Sequence, residues 1–224
     1  MRAGLLVGNA PIIAQIPWAS IPRDLVEIVG VNRCWDHDNP ARQYVHPDWY
    51  CALDSSIEPC WLPPEGTVRG FPTRDKKPYN DRSDAIKRNW RTYSDRLPWP
   101  KDGEEYFRIR STPAFAFQWM LESNFTHIGL VDIEYSIPDL VAKEQPTHAH
   151  GSEARFDKQA QTLDGSKGIA RRFWTRAVHT AIDKGILVNN VNPNTNTPFH
   201  SIPFACDHLD HWLKMLPRLA QAVA

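Results

Sequence analysis

The sequence predicts an α/β protein with a Rossmann-like, mostly parallel sheet flanked by helices and with long loops rich in Pro and Trp. Short apolar runs alternate with candidate helices along the chain, as a parallel sheet requires. The first run, Leu5 to Val7, stops at the turn residues Gly8-Asn9, and ligands of open α/β sheets bind beyond such strand ends. The chain also contains 19 Pro and 9 Trp, which indicates long ordered loops with aromatic anchors.

Composition narrows the class of protein. A chain of 224 residues fits a single domain over 1–224, with loop insertions at 55–80 and 136–165. The 26 basic residues equal the 26 acidic ones, so nucleic acid is an unlikely partner. The apolar run after Arg2 is too short for a signal peptide, and no segment approaches the roughly 20 apolar residues of a membrane span. We therefore expect a cytoplasmic protein without a membrane span; homo-oligomerisation stays open.

The cysteines show no C-x-x-C pairing. Without that spacing, the sequence predicts free and mostly buried thiols in a reducing compartment. The four positions are Cys34, Cys51, Cys60 and Cys206.

Apolar runs predict strands over 3–7, 27–31 and 49–53, and a short strand near 67–69. Pro residues in the linkers between the first three strands leave room only for short helices. A polar helix is predicted over 83–93.

Later in the chain, a strand is predicted over 106–110, and a helix follows with Thr112 as N-cap and Pro113 at its first helical position, ending near 123. The next strand covers 127–131. The clearest helix spans 166–184 and ends at Gly185. Its apolar stripe consists of Ile169, Phe173, Val178, Ala181 and Ile182.

The last predicted strand is 186–188, followed by an Asn- and Pro-rich loop over 189–198. A final helix is expected from its cap Asp207 to about 223, bent or interrupted at Pro217.

Polar residues follow four of the predicted strands, which brings them to one edge of the sheet. They are Asn9, Asn32, Asp54 and the pair Asp132 and Glu134. Such side chains can hydrogen-bond a base, a ribose and a phosphate, although a single one is usually only a turn former.

Several short motifs, taken in order, resemble the bacterial sialyltransferases of glycosyltransferase family 42. They are Gly8-Asn9-Ala10-Pro11, Ser20-Ile21-Pro22, Val31-Asn32-Arg33, Ser111-Thr112-Pro113, the strand His127 to Glu134, and Ile186 to Pro198. The related motility-associated and pterin-diphosphokinase-like proteins share this outline. The motifs span about two thirds of the chain.

The resemblance implies a glycosyltransferase that moves a sugar from a nucleotide-activated donor, with a cytidine-linked donor as one candidate, to a glycan or other acceptor. No further cofactor is required. The nucleotide would be held at Gly8, Asn9, Ala10, Asn32, Ser111 and Thr112, and Asp54 lies near a further contact position of the family.

Glycosyl transfer needs a base for the acceptor hydroxyl and a stabilised leaving phosphate. The family His before the last long helix has no counterpart here, so His148 or His150 is the expected base. Asp132 and Glu134 are further catalytic candidates, with Glu134 where the family has Asp. Lys167, in the first turn of a predicted helix, and Arg110 would meet the phosphate.

Metal binding is the less favoured alternative. Asp132 and Glu134 resemble a divalent-cation site of other glycosyltransferases, and His208 and His211 lie one helical turn apart. Because the pair lacks the intervening Glu of H-E-x-x-H, capping by Asp207 and a solvated helix face explain it without metal.

Two other functions remain open on the sequence. The absent family His and the Trp-rich loops are compatible with a nucleotide-fold protein, cellular or viral, that has lost catalysis and serves as a structural or interaction module. A phosphotransferase of the pterin-diphosphokinase-like kind is the third.

Overall fold

The computed structural model of the chain describes residues 1–8, 13, 15–31, 34, 47–51, 68–73, 90–94, 112–131, 133, 174–192 and 205–223. Eight strands within these ranges form one sheet. They are β1 (Ala3–Val7), β2 (Val26–Val31), β3 (Trp49–Cys51), β4 (Val68–Thr73), β5 (Trp90–Ser94), β6 (His127–Val131), β7 (Leu187–Asn192) and β8 (Ala205–His208).

Three helices accompany the strands. Helix α1 (Thr112–Glu122) precedes β6, α2 covers residues 174–183 before β7, and α3 (Leu209–Val223) follows β8. A 3-10 turn at Trp18–Ser20 lies between β1 and β2.

The strand order is β5-β4-β3-β2-β1-β6-β7-β8, and every neighbouring pair is parallel. Strands β1 to β5 follow one another from the middle of the sheet to one edge. Strand β6 pairs with the other side of β1, and β7 and β8 continue from there to the opposite edge. This is a doubly wound sheet whose order reverses between β1 and β6. The predicted Rossmann-like α/β fold is confirmed.

Two apolar layers cover the sheet. Successive residues of β1 alternate between them, with Leu6 in one and Leu5 and Val7 in the other, as the pleat requires. On the side that we call the α1/α2 face, α1 and α2 pack together, and the rings of Phe117 and Trp174 lie 5.2 Å apart. The other side, the α3 face, is covered by α3 and by Ile13, Ile16, Trp18 and Ile21.

The amino edge of the sheet is held by Arg2. Its guanidinium donates two hydrogen bonds to the Glu27 carboxylate of β2, at 2.7 and 2.8 Å, and a third to the carbonyl of Ser123 after α1. The Trp49 indole of β3 donates to the same carboxylate. These bonds fix the carboxyl end of α1 at the amino edge, so α1 runs antiparallel to the strands.

The predicted helix over 83–93 is wrong at its end, because residues 90–94 form β5. Trp90, Thr92 and Tyr93 are residue types that favour strands, and β5 pairs with β4 from Arg69 to Thr73. Strand β4 is longer than the predicted 67–69 and lies inside the predicted loop 55–80. The predicted strand 106–110 and the loop 136–165 fall outside the described residues.

Near the carboxyl terminus, the predicted strand 186–188 is too short, since β7 continues to Asn192 through half of the expected Asn-rich loop. The prediction missed β8, which ends at His208, so the predicted cap Asp207 lies in a strand and α3 begins at Leu209. Helix α3 also continues through Pro217 without interruption.

Within α2, Ala181 is buried and Val178 packs on the core, as the stripe predicts, whereas Ile182 is 68% exposed. Gly185 ends this segment as predicted: its φ is 65° and its N–H donates to the Ile182 carbonyl at 2.9 Å. Residues 166–173 of the predicted helix lie beyond the described part of the chain.

Cys34 and Cys51 are free and buried, as predicted. None of the described helices is both long enough and apolar enough to span a membrane.

Candidate functional site at the carboxyl edge

The strand order reverses between β1 and β6, and in sheets of this class the carboxyl ends of the strands at such a reversal are where a ligand crevice forms. The backbone N–H of Gly8 donates to the carbonyl of Val131 at 3.0 Å, which extends the pairing of these strands by one residue. After β1 the chain joins the α3 face through Ile13 and Ile16, whereas the segment after β6 reaches the α1/α2 face at Ile133 and α2. Connections that leave in opposite directions are what opens a ligand crevice in this class of fold.

Thr112 lies at this same edge. Helix α1 has 11 residues and β1 has 5, so each is roughly 16 Å long. Because the carboxyl end of α1 is bonded to Arg2 at the amino edge, its first residue Thr112 lies near the carboxyl edge. Its side chain is buried, with 5% exposure, and α1 packs against β1, β2 and β3.

Gly8 and Thr112 are therefore the predicted site residues that the structure locates, both towards the carboxyl edge. The others lie outside the described ranges: Asn9, Ala10, Asn32, Asp54, Arg110, Ser111, Asp132, Glu134, His148, His150 and Lys167. In the chain, Asn9 directly follows Gly8, and Asp132 directly follows Val131. The prediction of a site at these positions stays a prediction.

The buried polar side chains towards the α1/α2 face carry no charge. In the described part of the chain, the buried polar or charged residues are Thr112, Gln118, His127 and Asn190. His127 lies at the opposite, amino end of β6. Thr112 and Gln118 belong to α1, and Asn190 belongs to β7, where it shares the pleat side of Val188. Hydroxyl and amide groups of this kind can hydrogen-bond a base, a sugar or a phosphate.

A carboxylate and a histidine meet where β8 passes into α3. Oδ1 of Asp207 lies 2.8 Å from Nδ1 of His211 and accepts the backbone N–H of His208 at 2.7 Å. The N–H of Asp210 donates to Nδ1 of His208 at 3.3 Å. His208, which directly precedes α3, therefore bonds an amide of its first turn, whereas the predicted cap Asp207 bonds the N–H of His208 before the helix begins, so the prediction of Asp207 as the cap is wrong. No group of three or more metal-ligating side chains occurs among the described residues.

The two buried thiols are poor nucleophiles. Burial raises the pKa of Cys34 to about 12. Burial, with a smaller contribution from Cys34, also raises the pKa of Cys51. Because the thiolate is the reactive form, both groups are chemically inert near neutral pH. Neither Cys34 nor Cys51 is therefore a candidate nucleophile.

Comparison with protein-family models, curated proteins and solved structures gave no match for this chain. The resemblance to the sialyltransferases rests on the short motifs alone.

Sequence reasoning overlooked Asn190, because Asn-rich segments usually form turns. The available signal was that two β-branched residues, Val188 and Val191, flank the asparagines and favour a strand through them.

Proposed function

We propose that this chain is a glycosyltransferase that binds a nucleotide-activated sugar in the crevice between β1 and β6. The observation that carries the proposal is the reversal of strand order at Gly8 and Val131, the position at which sheets of this kind bind nucleotides. Of the predicted nucleotide residues, Asn32 directly follows the end of β2 in the chain, and Asn9 lies two residues after the end of β1.

In this proposal a histidine accepts the proton of the acceptor hydroxyl as its oxygen attacks the anomeric carbon of the donor sugar. The bond between that carbon and the phosphate oxygen breaks, and the nucleotide leaves with the electron pair. The base is His148 or His150. Lys167 and Arg110 stabilise the charge that develops on the leaving phosphate. The resemblance favours a cytidine-linked donor.

Nucleotide binding is tested by thermal unfolding with cytidine monophosphate and with uridine diphosphate. At a ligand concentration of 100 times the Kd, binding adds about 2.7 kcal/mol to the free energy of unfolding, which corresponds to roughly 5–10 °C in a chain of this size. Asn9→Ala and Asn32→Ala should abolish the shift. Asn189→Ala, on the partly exposed side of β7, is the control and should retain it.

A wild-type protein that no nucleotide stabilises contradicts the proposal. If such a protein also elutes as a large assembly, the structural or interaction module gains support.

The base is identified by comparing His148→Gln, His150→Gln and His211→Gln. We expect a variant of the 148–150 segment to lose sugar transfer while it keeps the thermal shift. His211→Gln tests the Asp207-bound histidine, whose second ring nitrogen could accept a proton instead. Loss of transfer in His211→Gln alone would move the base to α3.

A further inference from the structure

Asn190 is a polar residue in the interior of the sheet. It lies in β7 between β6 and β8, beside Leu130 and Cys206, and is 1% exposed. Its side-chain Nδ2 has no hydrogen-bond partner among the described residues.

Such a group is costly in a folded protein. A buried donor without an acceptor costs about 1–3 kcal/mol, and Asn is disfavoured in strands. Leu6 of β1, Leu130 of β6 and Asn190 of β7 lie side by side in one row across the sheet. Leu6 and Leu130 belong to the apolar core of the α1/α2 face. An aliphatic side chain would complete the row without the penalty, so Asn190 is a candidate for a functional role.

The position of Asn190 supplies that explanation. Its row lies one residue below the carboxyl ends of β1 and β6, where Gly8 bonds to Val131. One strand spacing of about 4.8 Å separates Asn190 from β6, and two separate it from β1. The segment that follows β6 reaches the same face of the sheet at Ile133. A ligand that binds at the carboxyl ends of β1 and β6 and extends towards the α1/α2 face would therefore approach the row of Asn190.

We propose that Asn190 is a ligand-binding residue of this crevice, where its Nδ2 donates a hydrogen bond to a carbonyl or hydroxyl oxygen of the base or sugar. This assignment rests on the proposed function. An uncharged moiety is favoured over a phosphate because the other buried polar side chains of this layer in the described ranges, Thr112 and Gln118, are also uncharged. A buried phosphate would require cationic partners.

The test compares Asn190→Leu, which keeps the approximate size and removes the donor, with Asn189→Leu as the control on the opposite pleat side. Without ligand, Asn190→Leu should raise the melting temperature by about 2–4 °C, since an unsatisfied buried group is removed. In calorimetric titration, Asn190→Leu should bind cytidine monophosphate about tenfold more weakly than the wild type does. The loss should be the same for cytidine, because the proposed contact is with the base or the sugar and not with the phosphate. Asn189→Leu should leave both affinities unchanged.

Each other outcome has a definite meaning. A lower melting temperature of Asn190→Leu, not shared by Asn189→Leu, shows that the amide is bonded within the folded chain and overturns the inference. Wild-type affinity in Asn190→Leu overturns the inference and leaves the proposed function standing. Weaker binding of the nucleotide only, with the nucleoside unaffected, overturns the assignment to base or sugar. A wild-type protein that binds neither probe overturns both proposals.

Discussion

Arg2 joins the first three strands and the end of α1 through a single side chain. Its guanidinium pairs with Glu27, reaches the carbonyl of Ser123, and lies 4.0 Å from the centre of the Phe125 ring. The hydrogen bond from Arg2 is the main cause that lowers the pKa of Glu27, and the same bond raises the pKa of Arg2. Both groups are therefore charged in the folded protein at neutral pH.

Removal of this guanidinium should destabilise the fold. Arg2→Met leaves the half-buried Glu27 carboxylate with the Trp49 donor and without its cation, so we expect a loss of about 2 kcal/mol, the usual value for hydrogen bonds to charged groups. Urea unfolding at pH 7 measures it. Arg23→Met is the control, because the pair of Arg23 with Asp48 is more exposed, at 39% for each side chain, and such pairs contribute little. Equal stability of the two variants would contradict the role of Arg2.

Helix α3 approaches the sheet closely at Gly129 of β6. A Cβ atom built on Gly129 would lie 3.0 Å from Cδ1 of Leu5, 3.0 Å from Cγ2 of Val191 and 3.2 Å from Cζ2 of Trp212. Two of these neighbours belong to adjacent strands and the third to α3. The absence of a side chain at Gly129 thus sets how near α3 lies to β6.

Gly129→Ala should lower the free energy of unfolding by about 1–3 kcal/mol through overpacking. Because Trp212 is one of the crowded groups, Trp212→Leu should relieve part of the strain, so the double variant should be more stable than the sum of the single effects predicts. Denaturant unfolding of the four proteins of this cycle measures the coupling, with exposed Lys214→Ala as a neutral control. Strict additivity would show that α3 is not held at the distance described.

The pH dependence of stability belongs to the whole molecule. Burial lowers the pKa of His127 below its usual 6.5, with a smaller contribution from the charged amino terminus. The unfolded chain therefore binds more protons than the folded one between the folded pKa and about 6.5, and stability falls as the pH decreases through that window. Glu27 acts in the same direction at lower pH: its lowered folded pKa gives stability that is present above about 4.5 and is lost as the pH falls through the folded value.

We expect His127 to leave the melting temperature unchanged above about pH 7 and to lower it as the pH decreases below about 6.5, until the folded pKa of His127 is passed. His127→Gln should flatten this part of the profile, since no proton is taken up at that position. His179→Gln, on an exposed position of α2, should keep the wild-type slope. Identical slopes in all three proteins would contradict the contribution of His127.

The sequence by itself determined the α/β class and the places of several elements. The apolar runs of β1, β2 and β6 predict strands to within one residue, because fully buried strands need continuous apolar residues. Gly185 predicts the end of α2, since its positive φ is a local requirement. These signals are local, so they can be read without knowledge of the fold.

Only the tertiary structure decided which strands are neighbours, and with that the position of the candidate site. Residues 90–94 form β5 because β4 supplies parallel hydrogen-bond partners for them. In the same way, β6 supplies partners for the asparagines of β7, so that strand continues through them. The reversal between β1 and β6, which pairs Gly8 with Val131, and the burial of Asn190 follow from contacts between residues far apart in the chain. Local propensity carries no information about such contacts, so the sequence could indicate the residue types of the candidate site but not the strand order that brings Asn190 near it.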